Sequence, residues 1–242
     1  MNRMTLNYFI HKNIQLQILK EIYTDTTIAP LLGFNGGTAA LMFYDLNRFS
    51  VDLDFDILTS GEAEALDEAK EKEVFEKILK IAKGYGEIKE SRIKRYNLLI
   101  IFSYNTKAQN IKIEVNRRVF GSRYEIKNLL GISMLVMVRE DMFANKLMAM
   151  YERVGKTSRD VFDVYFFAKS NWSINKEIVE KRAGTSYKEA VEKCIELLEK
   201  MNNRNVLDGL GEFLTESQKD WARAKLRDET IFLLKARLES EK

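Results

Sequence analysis

Cysteine, histidine and proline each occur once in the 242 residues, as Cys194, His11 and Pro30. One cysteine cannot form an internal disulfide, and it suits a reducing compartment. One histidine makes a Ser-His-Asp triad improbable. Together they cannot build a structural zinc centre, so any catalytic metal must rest mostly on carboxylates, which favours magnesium or manganese. One proline and twelve glycines leave little material for loops and linkers and predict long uninterrupted elements. No apolar run is long enough to span a membrane, and MNRMTLNYFIHKNIQ has no stretch resembling a signal peptide. These features predict a cytoplasmic protein. Charge is nearly balanced, with 39 Lys and Arg against 36 Asp and Glu. A net charge of +3 permits a polyanionic partner without demanding one.

What is present divides the chain in two. Apolar spacing predicts an amphipathic helix over residues 4–23 and a short strand at 28–32. Asn35-Gly36-Gly37-Thr38 reads as a turn, followed by a short buried helix to residue 46. Residues 51–57 alternate strictly, with Val51, Leu53, Phe55 and Ile57 against Asp52, Asp54 and Asp56, the pattern of a half-buried strand. A charged helix is predicted over 62–83, and strands near 96–104 and 111–115. Beyond residue 120 helical patterns dominate, at 139–153, 159–169, 187–201 and 216–238. These patterns suggest an α+β organisation with a soft boundary near residues 120–135. We set it as an α/β domain over 1–125 and a helical domain over 126–242.

The most unusual segment is VDLDFD. Alternation places three aspartates on one strand face, with neighbouring pairs roughly 7 Å apart at the backbone. Aspartate is disfavoured in strands, and like charges repel, so a cation between them would turn repulsion into binding. Two such carboxylates can bridge magnesium ions that align a nucleoside triphosphate and stabilise leaving pyrophosphate. Asp-x-Asp alone is a weak signal. Here Gly36, Gly37 and Thr38 precede it at G-G-T-x13-D-x-D, where glycines let backbone approach a phosphate and helix-start amides favour an anion. In IKIEV, Lys112 and Glu114 share a face. If that strand lies beside 51–57, Glu114 completes a three-carboxylate set, as a metal ligand or as general base. A solvated edge strand is the competing explanation. Arg92, Lys94 and Arg95 precede a strand and could touch an RNA backbone, although a solvated hairpin is the better explanation.

At these residues the chain resembles a known family. GGTAALMFYDLNRFSVDLDFDI is similar to the opening signature of polymerase β-like nucleotidyltransferases. More narrowly it resembles the AbiEii/AbiGii toxin family, with Arg48, Ser50, Asp52, Asp54, Phe55 and Asp56 at the signature positions. REDMFANKLMAMYER resembles the family's Asp-x4-Lys motif at Asp141 and Lys146. SRDVFDVYFFA resembles its Arg-Asp-x-x-Asp motif at Arg159, Asp160 and Asp163. The resemblance runs from about residue 30 to 170, and the last 70 or so residues carry no recognised motif.

The resemblance implies a polymerase β-like mixed sheet with helices, followed by a helical bundle, with a cleft between. It implies magnesium-dependent transfer of a nucleotide from an NTP, by the toxin of a toxin–antitoxin or abortive-infection system. An RNA acceptor, the tRNA 3′ end, and a cognate antitoxin are the implied partners. The expected catalytic set is Asp52, Asp54, Glu114, Lys146, Asp160 and Asp163, with Asp52, Asp54 and Glu114 on the metal. Gly36, Gly37, Thr38, Arg48, Ser50 and Lys146 are the expected nucleotide contacts. Lys146 suits triphosphate oxygens. Asp141 and Lys146 lie about 140° apart around a helix, so Asp141 is read as support. A protein or small-molecule hydroxyl as acceptor, or a non-catalytic partner-binding module, are the alternatives.

Overall fold

The structure, a computed structural model, describes residues 7–59, 66–104 and 110–240. Residues 4–6 of the expected first helix and 62–65 of the expected charged helix lie outside the described residues. The chain divides into two compact units. The first comprises Met1–Asp45, Phe49–Val119 and Tyr124–Met137, and the second Leu46–Arg48, Phe120–Arg123 and Val138–Lys242. The short crossings at 46–48 and 120–123 mean that the units exchange backbone more than once.

The first unit is built on a seven-stranded mixed sheet. Its elements are α1 (Tyr8–Thr24), β1 (Leu32–Asn35), α2 (Gly36–Phe43), β2 (Leu53–Ile57), α3 (Glu68–Tyr85), β3 (Glu87–Ile93), β4 (Asn97–Ser103), β5 (Asn110–Asn116), β6 (Tyr124–Leu129) and β7 (Ile132–Met137). The strand order is β3-β4-β5-β2-β1-β7-β6. The β2–β5 and β1–β7 pairs are parallel and the rest antiparallel. Leu53, Phe55 and Ile57 are buried, and the Phe55 ring packs near Tyr23 of α1 and Phe34 of β1. Alternation therefore sends Asp54 and Asp56 to the opposite sheet face, where both are half-buried.

Residues 28–32, expected as a strand, open instead with a 3-10 turn at Ala29–Leu31, and β1 follows it. Gly36 and Gly37, expected in a turn, form the first residues of α2. Three strands carried no clear signal. β3 is an edge strand of charged, largely exposed residues, so no apolar alternation marks it. The β6–β7 hairpin turns on Leu130 and Gly131, both at positive φ (50° and 79°). Positive φ at both turn residues is a requirement of type I′ hairpin turns, which Asn-Gly would have announced and Leu-Gly does not.

The second unit is helical: α4 (Arg139–Arg153), α5 (Arg159–Lys169), α6 (Lys176–Ala183), α7 (Tyr187–Lys200), α8 (Glu216–Trp221) and α9 (Arg227–Ser240). A π-helical turn at Ala222–Leu226 joins the last two, where one continuous helix was expected. The core holds Phe143 edge-on to Phe167, with Trp172 stacked on Phe167 at 4.2 Å. Ser186 and Glu189 form a capping box that starts α7. Cys194 is buried on α7, and desolvation pushes its thiol up to about 12, so it is inert core rather than a nucleophile. Among the described residues no helix is long and apolar enough to cross a membrane.

Candidate functional site

Parallel pairing of β2 with β5 sets Asp54 directly opposite Glu114. Asp52 lies just before β2, and Lys112 shares the face of β5 with Glu114. The Lys112 Nζ is 2.8 Å from Glu114 and 3.6 Å from Asp52. Burial opposes the lysine's charge. The carboxylates of Asp54, Asp52 and Glu114 outweigh it and raise its pKa above the ordinary value. The expected three-carboxylate set thus comes together on one sheet face, with a lysine as its internal counterion. Lys112 was not expected as a site residue, although its period-two relation to Glu114 placed it on that face. Asp56 differs from the other two aspartates. Its carboxylate accepts from Asn116 Nδ2 at 3.0 Å and from the Tyr124 hydroxyl.

The glycines sit against these acids. A Cβ on Gly36 would lie 2.3 Å from Asp54 Oδ2, and Gly36 has φ +75°, so position 36 requires glycine on both counts. Asn35, at the N-cap of α2, makes no side-chain capping bond. The first amides of α2 are therefore not capped by that side chain, as an anion-binding helix start requires.

The backbone entering β2 is held by side chains. Gln15 Nε2 donates to the Ser50 carbonyl at 3.4 Å, and His11 Nε2 to the Val51 carbonyl at 2.9 Å. Thr38 Oγ1 donates to the Asp52 carbonyl and also meets Ser50 Oγ at 3.0 Å. Three successive carbonyls are clamped by α1 and α2. Because a carbonyl only accepts, His11 carries its proton on Nε2, leaving Nδ1 to accept from the Tyr104 hydroxyl at 2.8 Å. Burial holds the His11 pKa below its ordinary value, against the Val51 hydrogen bond and the Asp52 charge. Ser50 is buried, with its hydroxyl engaged by Thr38.

The remaining expected residues gather in the second unit. Arg48 grips Asp163 with two charge-assisted bonds, Nε–Oδ1 at 2.6 Å and Nη2–Oδ2 at 2.7 Å. Lys146 reaches Asp163 at 2.9 Å and Asp160 at 3.2 Å, and Arg153 reaches Asp160 at 3.0 Å. Burial penalises the Asp163 carboxylate, but Arg48 and Lys146 prevail and hold its pKa at about 2. Burial likewise opposes the Lys146 charge, and Asp163 and Asp160 raise its pKa. Asp141 belongs to a different cluster, accepting from the Arg123 backbone and guanidinium and from Asn175. Its separation from Lys146 around α4 is thus expressed as two sets of partners. Arg159 lies over the Phe213 ring at 5.3 Å.

A model of the family described as "Nucleotidyl transferase AbiEii toxin, Type IV TA system" matches residues 17–231. The chain belongs to the AbiEii family. It is a nucleotidyltransferase of that toxin family, and the match extends well past residue 170 through α7 and most of the C-terminal helices. Two solved structures share the fold. A candidate nucleotidyltransferase of H. pylori aligns over 100% of this chain and 99% of its own, with TM-score 0.55 and 19% identity. JHP933 from Helicobacter pylori aligns over 98% and 97%, with TM-score 0.52 and 18% identity. No curated protein sequence matches.

The donor set can be tested against a divalent ion. Among the described residues, no group of three or more His, Cys, Asp or Glu converges as a ready-made metal cage. Magnesium rarely uses one. It takes one or two carboxylates and completes its shell with water and substrate phosphate. The oxygen-only donors of Asp52, Asp54 and Glu114, with Lys112 as the present counter-charge, fit that habit.

Proposed function

We propose that this AbiEii-family chain transfers a nucleotide from an NTP to an RNA hydroxyl, at the 3′ end of tRNA. It would act in the cytoplasm as the toxin of a two-protein system with a cognate antitoxin. The observation that carries the reading is the register of Asp54 against Glu114, with Asp52 beside them and the Gly36–Thr38 helix start against Asp54.

Asp52 and Asp54, with Glu114, would hold magnesium or manganese, which supplies charge neutralisation for the triphosphate. The amides of Gly36 and Gly37 receive phosphate oxygens, and Thr38 fixes the backbone of Asp52. Glu114 takes the proton of the attacking hydroxyl. As the new oxygen–phosphorus bond forms at the α-phosphate, the bond to the β-phosphate oxygen breaks and pyrophosphate leaves. Ser50, buried and engaged by Thr38, supports the strand entry. Within the helical unit, Asp163 holds Arg48 and Lys146, and Asp160 also holds Lys146.

The test is incubation of the protein with each labelled NTP, magnesium and total tRNA. The expected result is label in RNA from the wild type and none from Asp52→Ala. Label on a protein or small molecule instead would move the acceptor. No label anywhere would overturn the reading.

A further inference from the structure

The turn between β3 and β4 displays an aromatic ring with two guanidinium groups nearby. Tyr96 is 51% exposed. Arg95 Cζ stands 5.0 Å and Arg118 Cζ 5.7 Å from its ring centroid. Exposed Ile93 and Val119 are close in sequence to these residues. An isolated aromatic at a hairpin tip needs no explanation, but this one rests on a built support. Arg117 donates from its backbone to the Tyr96 carbonyl at 2.9 Å, and from Nη1 to the carbonyls of Lys94 and Arg95 at 2.9 and 3.2 Å. Its guanidinium is in turn locked by buried Glu71 of α3, at 3.0 and 2.6 Å. Arg118 is aimed by Asn116, whose Oδ1 accepts from the Arg118 backbone and Nε at 3.3 Å each.

We infer that Tyr96, with Arg95 and Arg118, is a stacking platform for a single-stranded polynucleotide. The inference rests on the reading that the acceptor is RNA. Aromatic faces bind unpaired bases without regard to sequence, and guanidinium groups beside them take the phosphates. The chemistry discriminates against an acidic protein, which would use the cations and ignore the ring. Location agrees. Asn97, next to Tyr96, donates through Nδ2 to Glu114. Leu99 pairs with Glu114, so Tyr96 lies three residues, about 10 Å, along the strand from the carboxylate face. A strand end seated on Tyr96 is thus within a few nucleotides of the proposed chemistry.

The test is fluorescence anisotropy with a labelled unstructured oligoribonucleotide of about a dozen residues, without NTP or metal. Tyr96→Ala is expected to weaken binding about tenfold, while Tyr96→Trp binds as well as wild type. Arg95→Ala with Arg118→Ala is expected to flatten the salt dependence by about two phosphate contacts. Equal binding by wild type, Tyr96→Ala and the double variant overturns the platform. So does equally tight binding of poly-glutamate, which would mark a general cationic surface. The two readings separate cleanly. Tyr96-dependent RNA binding by a chain that transfers nothing sustains the platform and removes the proposed activity. Transfer to RNA with the same KM in wild type and Tyr96→Ala removes the platform alone.

Discussion

Two clusters of opposite charge stand in the two units, and they are satisfied differently. In the sheet unit, Lys112 lies among three carboxylates, and Asp52, Glu114 and Lys112 keep 20–32% of their side-chain surface exposed. In the helical unit, Asp163 and Asp160 meet Arg48, Lys146 and Arg153, and the two acids are at most 3% exposed. A buried charge persists only where it is matched, so the helical cluster holds its neighbours in place. Partly exposed carboxylates, by contrast, remain within reach of a cation from solvent. We therefore propose that the chemistry belongs to the sheet and rigid positioning to the bundle.

The largest expected effect sharpens that contrast. Asp54→Asn should cut nucleotide transfer by about a thousandfold with an unchanged melting profile, and chelation of divalent ions should do the same to the wild type. Asp163→Ala should act in the opposite sense. It removes the buried carboxylate that Arg48 and Lys146 share, at a cost of about 3–5 kcal/mol, lowering Tm by roughly 10 °C in thermal melts. Its pH dependence follows from the depressed carboxyl. The stabilisation is complete above the ordinary carboxylate value of 3.8 and is lost as pH falls towards about 2. Tm of the wild type should therefore fall over that acid range more steeply than that of Asp163→Asn.

Gly36→Ala should damage the sheet site without touching the bundle. The added Cβ meets Asp54, and the left-handed backbone adds about 1 kcal/mol of strain. Transfer should drop more than tenfold. A smaller effect is expected from Thr38→Val, which releases the Asp52 carbonyl at a cost of about 1–2 kcal/mol. Thr38→Ser restores the bond, so kcat should fall in the first variant and recover in the second at similar KM. The smallest effect concerns His11. Its folded pKa is lowered, so its contribution is complete above pH 6.5 and declines as pH falls below that value. His11→Gln should remove that part of the pH dependence of Tm.

The legibility of these features in the sequence followed their periodicity. Alternation in residues 51–57 and 111–115 located the two acid-bearing strands, and apolar spacing set α4 and α5 at their observed bounds. The hairpin at Tyr124–Met137 escaped because its turn uses Leu130 where Asn is diagnostic, and because the edge strand β6 is mostly solvated. At the site, Asp52, Asp54 and Glu114 were visible because charge at strand spacing is unusual. Lys112 was read only as the residue beside Glu114, since a lysine on a solvated face is ordinary. His11 and Gln15 carried no signal at all. They act on backbone carbonyls 35 to 40 residues away, and no side-chain pattern at either end records such a bond.

The most direct test is the rate of labelled nucleotide incorporation into tRNA by Asp54→Asn and Asp163→Asn, normalised to folded protein. The account predicts that Asp54→Asn loses incorporation while its melting profile is retained, and that Asp163→Asn loses stability first. Incorporation by folded Asp54→Asn at the wild-type rate would contradict it.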